Sequence, residues 1–466
     1  MKKITSFIAL ILALAMLASM FVACNKDNNQ PEGTTPEVTT PEPTTPEVTT
    51  PGTPEHSHTI EEIPAVAATC TATGLTAGQK CSECGEVLAF QEEVAALGHD
   101  YVDGNCSRCN QRDPSAPEAY PYPVPEIAPL PENPVALKSG CKHLFTRRKV
   151  VEQVTTEADG KIYNICEKCN GWQEETIAAV KSIKVLAIGN SFSDDAMEYL
   201  AIIAKAAGVE EVILGNLYIG GCSLQTHYEN ANHNKANYTY RKNIGDGNGW
   251  VSTSGVSIEA ALADEEWSII TMQQVSQNSG LGDTIEGPVL DNQYLSRLIT
   301  SVQGKIKYVL KYENTPKLYW HMTWAYAQSS THSGFANYNN DQLTMYNAIN
   351  DTVKNTVGPF FAKTDATKKI TGMIPSGTAI QNVRTSYIAD ALVTRDGYHL
   401  SDLGRFAAGL TWFRTLTGLS IDDLDFSDVS GFEFLGNNLP MLKEAANNAY
   451  LNPYAVTQSQ YANGMN

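Results

Sequence analysis

From about residue 181 onward, short apolar runs of strand character alternate with amphipathic helical stretches, and this alternation narrows the possible fold more than any other feature of the chain. Residues 183–188 (IKVLAI), 212–217, 267–272, 317–321 and 369–374 read as buried strands, with helical patterns such as 196–207 and 342–357 between them. Strand and helix in alternation predict an α/β domain around a parallel sheet. In such sheets ligands gather at the carboxyl ends of the strands.

The rest of the 466 residues differs in character. Sixteen of the 22 prolines precede residue 135, and nine of the ten cysteines precede residue 170. The net charge of −18 argues against binding nucleic acid or an anionic membrane surface, both of which need basic patches. Residues 1–23 carry Lys2 and Lys3 ahead of an apolar run, as a secretory signal does, and end in Phe21-Val22-Ala23-Cys24, which resembles a bacterial lipobox. Cys24 is therefore the expected lipidation site, and a transmembrane anchor is the alternative. The lipid would be the only membrane attachment, on the extracellular face of a bacterial membrane. Residues 24–55 repeat a TTPEV-like unit that cannot bury a core and favours an extended stalk. A second Pro-rich stretch at 113–136 reads as a linker.

Between these spacers lie Cys/His modules, at 56–112 and 137–180. Each carries Cys-x-x-Cys knuckles: Cys81/Cys84, Cys106/Cys109 and Cys166/Cys169. Two thiolates at that spacing grip one face of a tetrahedral Zn²⁺, and a distant Cys and His complete it. By chain order the first set is His58, Cys70, Cys81 and Cys84. The third is Cys141, His143, Cys166 and Cys169, and the second, with His99, is one ligand short. Disulfides are the alternative in an exported chain. The pieces resemble short Cys repeats of surface proteins from anaerobic Firmicutes, through Gly98-His99-Asp100-Tyr101 and Cys81-Ser82-Glu83-Cys84-Gly85. They read as zinc-ribbon-like structural units, and no cofactor is expected for catalysis.

The first strand of the α/β region runs into Gly189-Asn190-Ser191-Phe192-Ser193-Asp194, which opens a helix. Ser191 there is a nucleophile candidate, with helix-terminal N–H groups available to a developing anion, and N-capping by Ser191 or Ser193 is the alternative. Further on, Arg395-Asp396-Gly397-Tyr398-His399 places an Asp three residues before a His, spacing that lets the carboxylate orient the imidazole while its Nε2 stays free to take a serine proton.

In that order, GNSFS, the Gly turn Ile219-Gly220-Gly221-Cys222-Ser223 and D-x-x-H resemble the SGNH (GDSL-like) hydrolase superfamily across residues 181–420. With QQVSQNSG and WHMTWAYAQSSTH they also resemble a subgroup of it catalogued as a domain of unknown function, found in gut anaerobes and other carbohydrate users. The resemblance implies a three-layer α/β/α flavodoxin-like domain over 181–466 and a Ser-His-Asp esterase, with Ser191 as nucleophile, His399 as base and Asp396 orienting it. It places the N–H of Gly221, or of Gly220, in the oxyanion hole beside that of Ser191. One block departs from the family: its usual Gly-x-Asn-Asp is replaced by Met272-Gln273-Gln274-Val275, so Gln274, then Gln273, is the expected substitute for the oxyanion Asn.

Trp320 is expected in the core. Trp324 and Tyr326, after the fourth strand, and His227, after the second, are candidates to line a substrate site, aromatic walls being suited to sugar rings. The Asn-, Gly- and Tyr-rich stretch 230–250 reads as a loop over the strand ends. Together these features point to a surface-anchored serine esterase removing acyl groups, O-acetyl above all, from poly- or oligosaccharides. Two alternatives stand beside it: a catalytically degenerate carbohydrate-binding or adhesion lipoprotein, and a lipase or thioesterase of the same fold.

Overall fold

A computed structural model of the chain describes residues 57–102, 105–109, 123–286, 293–309, 312–365, 367–390 and 393–462. The signal, Cys24, the stalk and the first half of the 113–136 linker lie outside the described residues.

Along the chain, β1 (Ser182–Gly189) leads into α1 (Ser191–Met197) and α2 (Leu200–Ala206). Next come β2 (Glu211–Tyr218), α3 (Leu224–Asn232), and the strands β3 (Tyr238–Asn243) and β4 (Val251–Val256). Then α4 (Ile258–Asp264), β5 (Ile269–Met272), α5 (Asp283–Glu286) and α6 (Tyr294–Ile306) precede β6 (Lys317–His321). The chain continues through α7 (Gln342–Thr352), α8 (Gly358–Phe361), β7 (Gly372–Ile374) and α9 (Ser376–Arg384), ending with α10 (Asp402–Thr417) and α11 (Leu439–Leu451).

The seven strands form one sheet in the order β4-β3-β2-β1-β5-β6-β7. β2, β1, β5, β6 and β7 are parallel, β1 pairing Val185 with Leu214 on one side and with Ile269 on the other. By chain order these five run second, first, third, fourth, fifth, the order of flavodoxin-like doubly wound sheets, with the switch point between β1 and β5. All four residues of β5 are buried, so both faces of the sheet are covered there. One packed helix group holds α1, α2, α9, α10 and α11, and the other holds α3, α4, α5 and α6. Side-chain caps fix where these helices begin: Ser223 accepts from Thr226 N–H before α3, Ser257 from Ala260 N–H before α4 and Ser401 from Gly404 N–H before α10.

The stretch 230–250 is not a loop over the strand ends. It completes α3 and supplies β3, which pairs antiparallel with β2 and with β4 to extend the sheet edge. Tyr238, Tyr240 and Asn243 are buried on β3, and the Asn and Gly residues that suggested a loop serve the turn, where Gly245, Gly247 and Gly249 all have positive φ. The helix expected over 196–207 is two helices, broken at Glu198 and Tyr199.

Ahead of the sheet, residues 57–109 form small antiparallel pairings of two and three strands. The module that follows is a three-stranded antiparallel sheet of Phe145–Glu152, Gly160–Cys166 and Trp172–Ile177. It docks on the large domain: Arg148 donates to the Tyr450 carbonyl at 2.8 Å, Gln153 Nε2 donates to that of Gly418, and Val154 joins the common core.

Candidate active site

Gly189 ends β1 where a Cβ would stand 2.2 Å from Ser193 Oγ, so a larger residue would displace the turn. Asn190 caps α1, its Oδ1 accepting from Phe192 N–H at 2.9 Å, and Ser193 Oγ lies 2.8 Å from the Asn190 carbonyl. The capping alternative for Ser191 and Ser193 is thereby set aside, because Asn190 performs it. The half-buried Ser191 is the first residue of the helix, at the carboxyl end of β1 beside the switch point.

Asp396 and His399 sit in a tight loop closed by the Thr394–Leu400 bridge and by Arg395 N–H donating to the His399 carbonyl. Asp396 Oδ1 accepts the N–H groups of Tyr398 (3.1 Å) and His399 (2.7 Å), while Oδ2 lies 2.6 Å from His399 Nδ1. His399 Nε2 lies 2.8 Å from Ser191 Oγ, 208 residues away in sequence. A carboxylate facing Nδ1 favours the tautomer protonated there, which leaves the Nε2 lone pair toward the serine hydroxyl. Partial burial pushes the Asp396 carboxyl up, but the His399 ring and the two N–H donors outweigh it and hold the group below its usual range.

Asp195 anchors this geometry. The carboxylate is 1% exposed on α1, four residues after Ser191, and accepts from Leu400 N–H (2.9 Å), Arg395 (3.0 Å) and Arg405 (2.9 Å). The helix bearing Ser191 is thus tied to both sides of the His399 loop. An acid on the 192/195/196/199 face, otherwise apolar or aromatic, was the available sequence signal.

Gly220 and Gly221 occupy the turn after β2. Gly221 has φ +62° and open space where a Cβ would stand, and the turn is held beside Asn190 by its Nδ2, which donates to the Cys222 carbonyl at 3.2 Å. Gln274 does not reach this space. Its Nε2 donates to the Thr284 carbonyl and hydroxyl, and its Oε1 accepts from Leu224 and Val275 N–H, so a buried amide is saturated elsewhere. Gln273 joins a buried relay instead. Ser376 Oγ meets His321 Nε2 (3.0 Å), His321 Nδ1 meets Gln273 Oε1 (2.8 Å), and Gln273 Nε2 donates to Asn190 Oδ1 (2.8 Å). Both amides are thus committed to partners inside the protein.

The three residues expected to line the substrate site are all buried. Trp324 stacks on Phe192 at 4.4 Å and donates its indole N–H to the Tyr398 carbonyl, so it braces the loop that carries His399. Tyr326 pairs its hydroxyl with Ser276 Oγ at 2.8 Å. His227 is enclosed on α3 against Tyr238 OH, and burial lowers its pKa to about 3. Each follows a strand end by sequence, but an apolar face turned inward takes the side chain to the core. The half-buried Tyr398 and His332 flank His399 instead, Tyr398 at 4.3 Å from its ring and His332 packed edge-on against Tyr398. Cys222, beside the glycine turn, is buried with its thiol pushed up to about 12, which makes it a poor nucleophile. A groove of about 800 Å³ bounded by Glu259, Ala263, Gly304 and Lys305 belongs to other elements.

The Cys and His residues gather in three sets, each with its donor atoms within 4.8 Å of one another: Cys141/His143/Cys166/Cys169, Cys70/His99/Cys106/Cys109 and His58/Cys81/Cys84. The third module groups as chain order suggested. Cys70 does not: it lies with the second knuckle, completing the set expected to be short and leaving three donors with the first among the described residues. The loop before Gly74 turns Cys70 toward Gly98, whose N–H donates to the Cys70 carbonyl. These sets can bind metal.

A family model described as a domain of unknown function, DUF4886, matches residues 184–429. The crystal structure of a DUF4886 family protein from Bacteroides uniformis is similar at 40% identity and TM-score 0.52, with 59% of this chain and 98% of that one covered. An acetyl-xylooligosaccharide esterase from Geobacillus Stearmophilus aligns at 12% identity and TM-score 0.30, covering 50% of this chain and 93% of its own. No curated protein matches. With more than half of its length under the family model and a 40% identical solved relative spanned almost end to end, the chain belongs to the DUF4886 family.

Proposed function

We propose that residues 181–466 form a serine esterase of the SGNH type, a three-layer α/β/α domain that removes acyl groups, O-acetyl above all, from carbohydrate. The observation that carries this is the continuous contact from Asp396 Oδ2 through His399 to Ser191 Oγ, at 2.6 and 2.8 Å, at the carboxyl end of the central strand. Ser191 Oγ attacks the ester carbonyl carbon as His399 Nε2 takes its proton, and the tetrahedral oxyanion is met by the N–H groups of Ser191 and Gly221. The C–O bond to the sugar breaks, His399 returns the proton to the departing alcohol, and the acyl-enzyme is hydrolysed by a water that His399 deprotonates. Gln274 has no part in this scheme, and Gln273 acts by holding Asn190.

Tyr398 and His332, packed edge to face beside His399, support a sugar substrate by offering flat faces and hydrogen-bonding edges. In this reading Cys24 carries the lipid that holds the enzyme at the outer face of a bacterial membrane, and the Cys/His sets are structural.

Hydrolysis of p-nitrophenyl acetate and acetate release from acetylated glycans, each with Ser191→Ala as control, test the proposal. Loss of turnover and of fluorophosphonate labelling in the variant is expected. Equal rates in the two proteins would leave only a binding role.

A further inference from the structure

We propose that the two four-donor sets, Cys70/His99/Cys106/Cys109 and Cys141/His143/Cys166/Cys169, are structural zinc sites, and that the first is built by crossover, Cys70 being lent by the segment of the preceding knuckle. This deepens the structural role given above to these modules and does not depend on the esterase reading.

A tetrahedral Zn²⁺ with Zn–S of about 2.3 Å and Zn–N of about 2.0–2.1 Å places its sulfurs about 3.8 Å apart and each sulfur about 3.5 Å from the ring nitrogen. Cys70 Sγ and Cys106 Sγ are 3.8 Å apart, Cys109 Sγ is 3.4 Å from His99 Nδ1, and Cys169 Sγ is 3.5 Å from His143 Nδ1. These are tetrahedron edges, far from the roughly 2.05 Å of a disulfide.

The local frame repeats between the sets. His99 stacks on Tyr101 and His143 on Phe145, so the residue two positions on fixes each imidazole. The knuckles at Cys81/Cys84 and Cys166/Cys169 both turn on a left-handed residue directly after the second cysteine, Gly85 and Asn170.

Burial gives the reason a metal is needed. Among residues 57–101 and 106–109, the buried side chains beyond glycine are Cys70, Cys81 and Cys106. Ile60, Val66, Leu75, Phe90 and Leu97 are exposed. A unit of this size with no apolar centre needs a cross-link to fold, and here the donor atoms occupy the centre. The crossover makes the first two knuckles one folding unit, because the second site closes only when the chain before the first has turned back to Gly98.

The test is zinc content and cysteine alkylation, read by mass spectrometry, on the full chain purified without reductant or chelator. At least two zinc ions per chain are expected, with Cys106, Cys109, Cys166 and Cys169 protected from iodoacetamide until chelator is added. Cys70→Ser should lose zinc and expose Cys106 and Cys109 while Cys166 and Cys169 stay protected. Cys81→Ser should leave Cys106 and Cys109 protected. Fewer than two ions, or cysteines recovered as disulfides, would overturn the assignment. Exposure of Cys81 and Cys84 in Cys70→Ser, with Cys106 and Cys109 unchanged, would overturn the crossover.

Discussion

Asp396 spends one carboxylate oxygen on two backbone N–H groups and the other on His399 Nδ1, so the same side chain shapes the loop and orients the ring. Asp396→Asn keeps the loop bonds but favours the wrong tautomer. We expect kcat for an acetyl ester to fall about 10⁴-fold with KM within about twofold, measured by steady-state kinetics. His227 and His321 are buried and neutral, each with its pKa lowered by burial to about 3. In the unfolded chain each takes a proton as pH falls through about 6.5. The unfolded state therefore binds more protons throughout that interval, and folding stability should drop as pH is lowered across it. Urea midpoints at about pH 7.5 and about pH 5 should show this, with a shallower pH slope in His321→Gln. An unchanged slope would remove His321 from the account.

At the scale of elements, the site depends on α1 meeting the loop ahead of α10. Asp195→Ala removes the carboxylate shared by Leu400, Arg395 and Arg405. Chemical denaturation should show a loss of about 3 kcal/mol, and kcat should fall about 10²-fold as His399 shifts. Trp324→Phe distinguishes a supporting role from a pocket wall. Losing the indole bond to the Tyr398 carbonyl should cost about 1–2 kcal/mol, with KM nearly unchanged, whereas a pocket wall would raise KM. The parallel strands, and helices such as that of 342–352, were legible because hydrophobic period is local. The hairpin of β3 and β4 was not, since a half-buried strand between Asn- and Gly-rich turns looks like loop until β2 is there to pair with it.

For the whole molecule, the 137–180 module is part of the large domain's surface rather than a bead on a linker. Ile177 and Val154 approach Gly418 at the end of α10, Gln153 also accepts from Arg414 at 3.1 Å, and Arg148 lies over the Tyr450 ring of α11. A chain beginning at residue 181 should melt roughly 2–4 °C below one beginning at residue 137, by calorimetry. Equal melting would show the contact to be without weight. Chelator should lower the melting of the Cys/His modules and, by loosening the docked 137–180 module, should also lower the sheet's own transition.

Sequence by itself determined the candidate residue types and their order: Ser after the first strand, a glycine turn after the second, and Asp three before His. Those signals are carried by neighbours along the chain, where spacing and turn chemistry act directly. Tertiary structure decided where each long side chain went. Gln273, Gln274, Trp324 and Tyr326 follow strand ends and His227 lies on α3, but buried amides and rings need partners on other elements, and those partners drew them inward. Cys70 shows the same physics: a ligand joins the set whose other donors lie within reach in space, and chain order has no say in that.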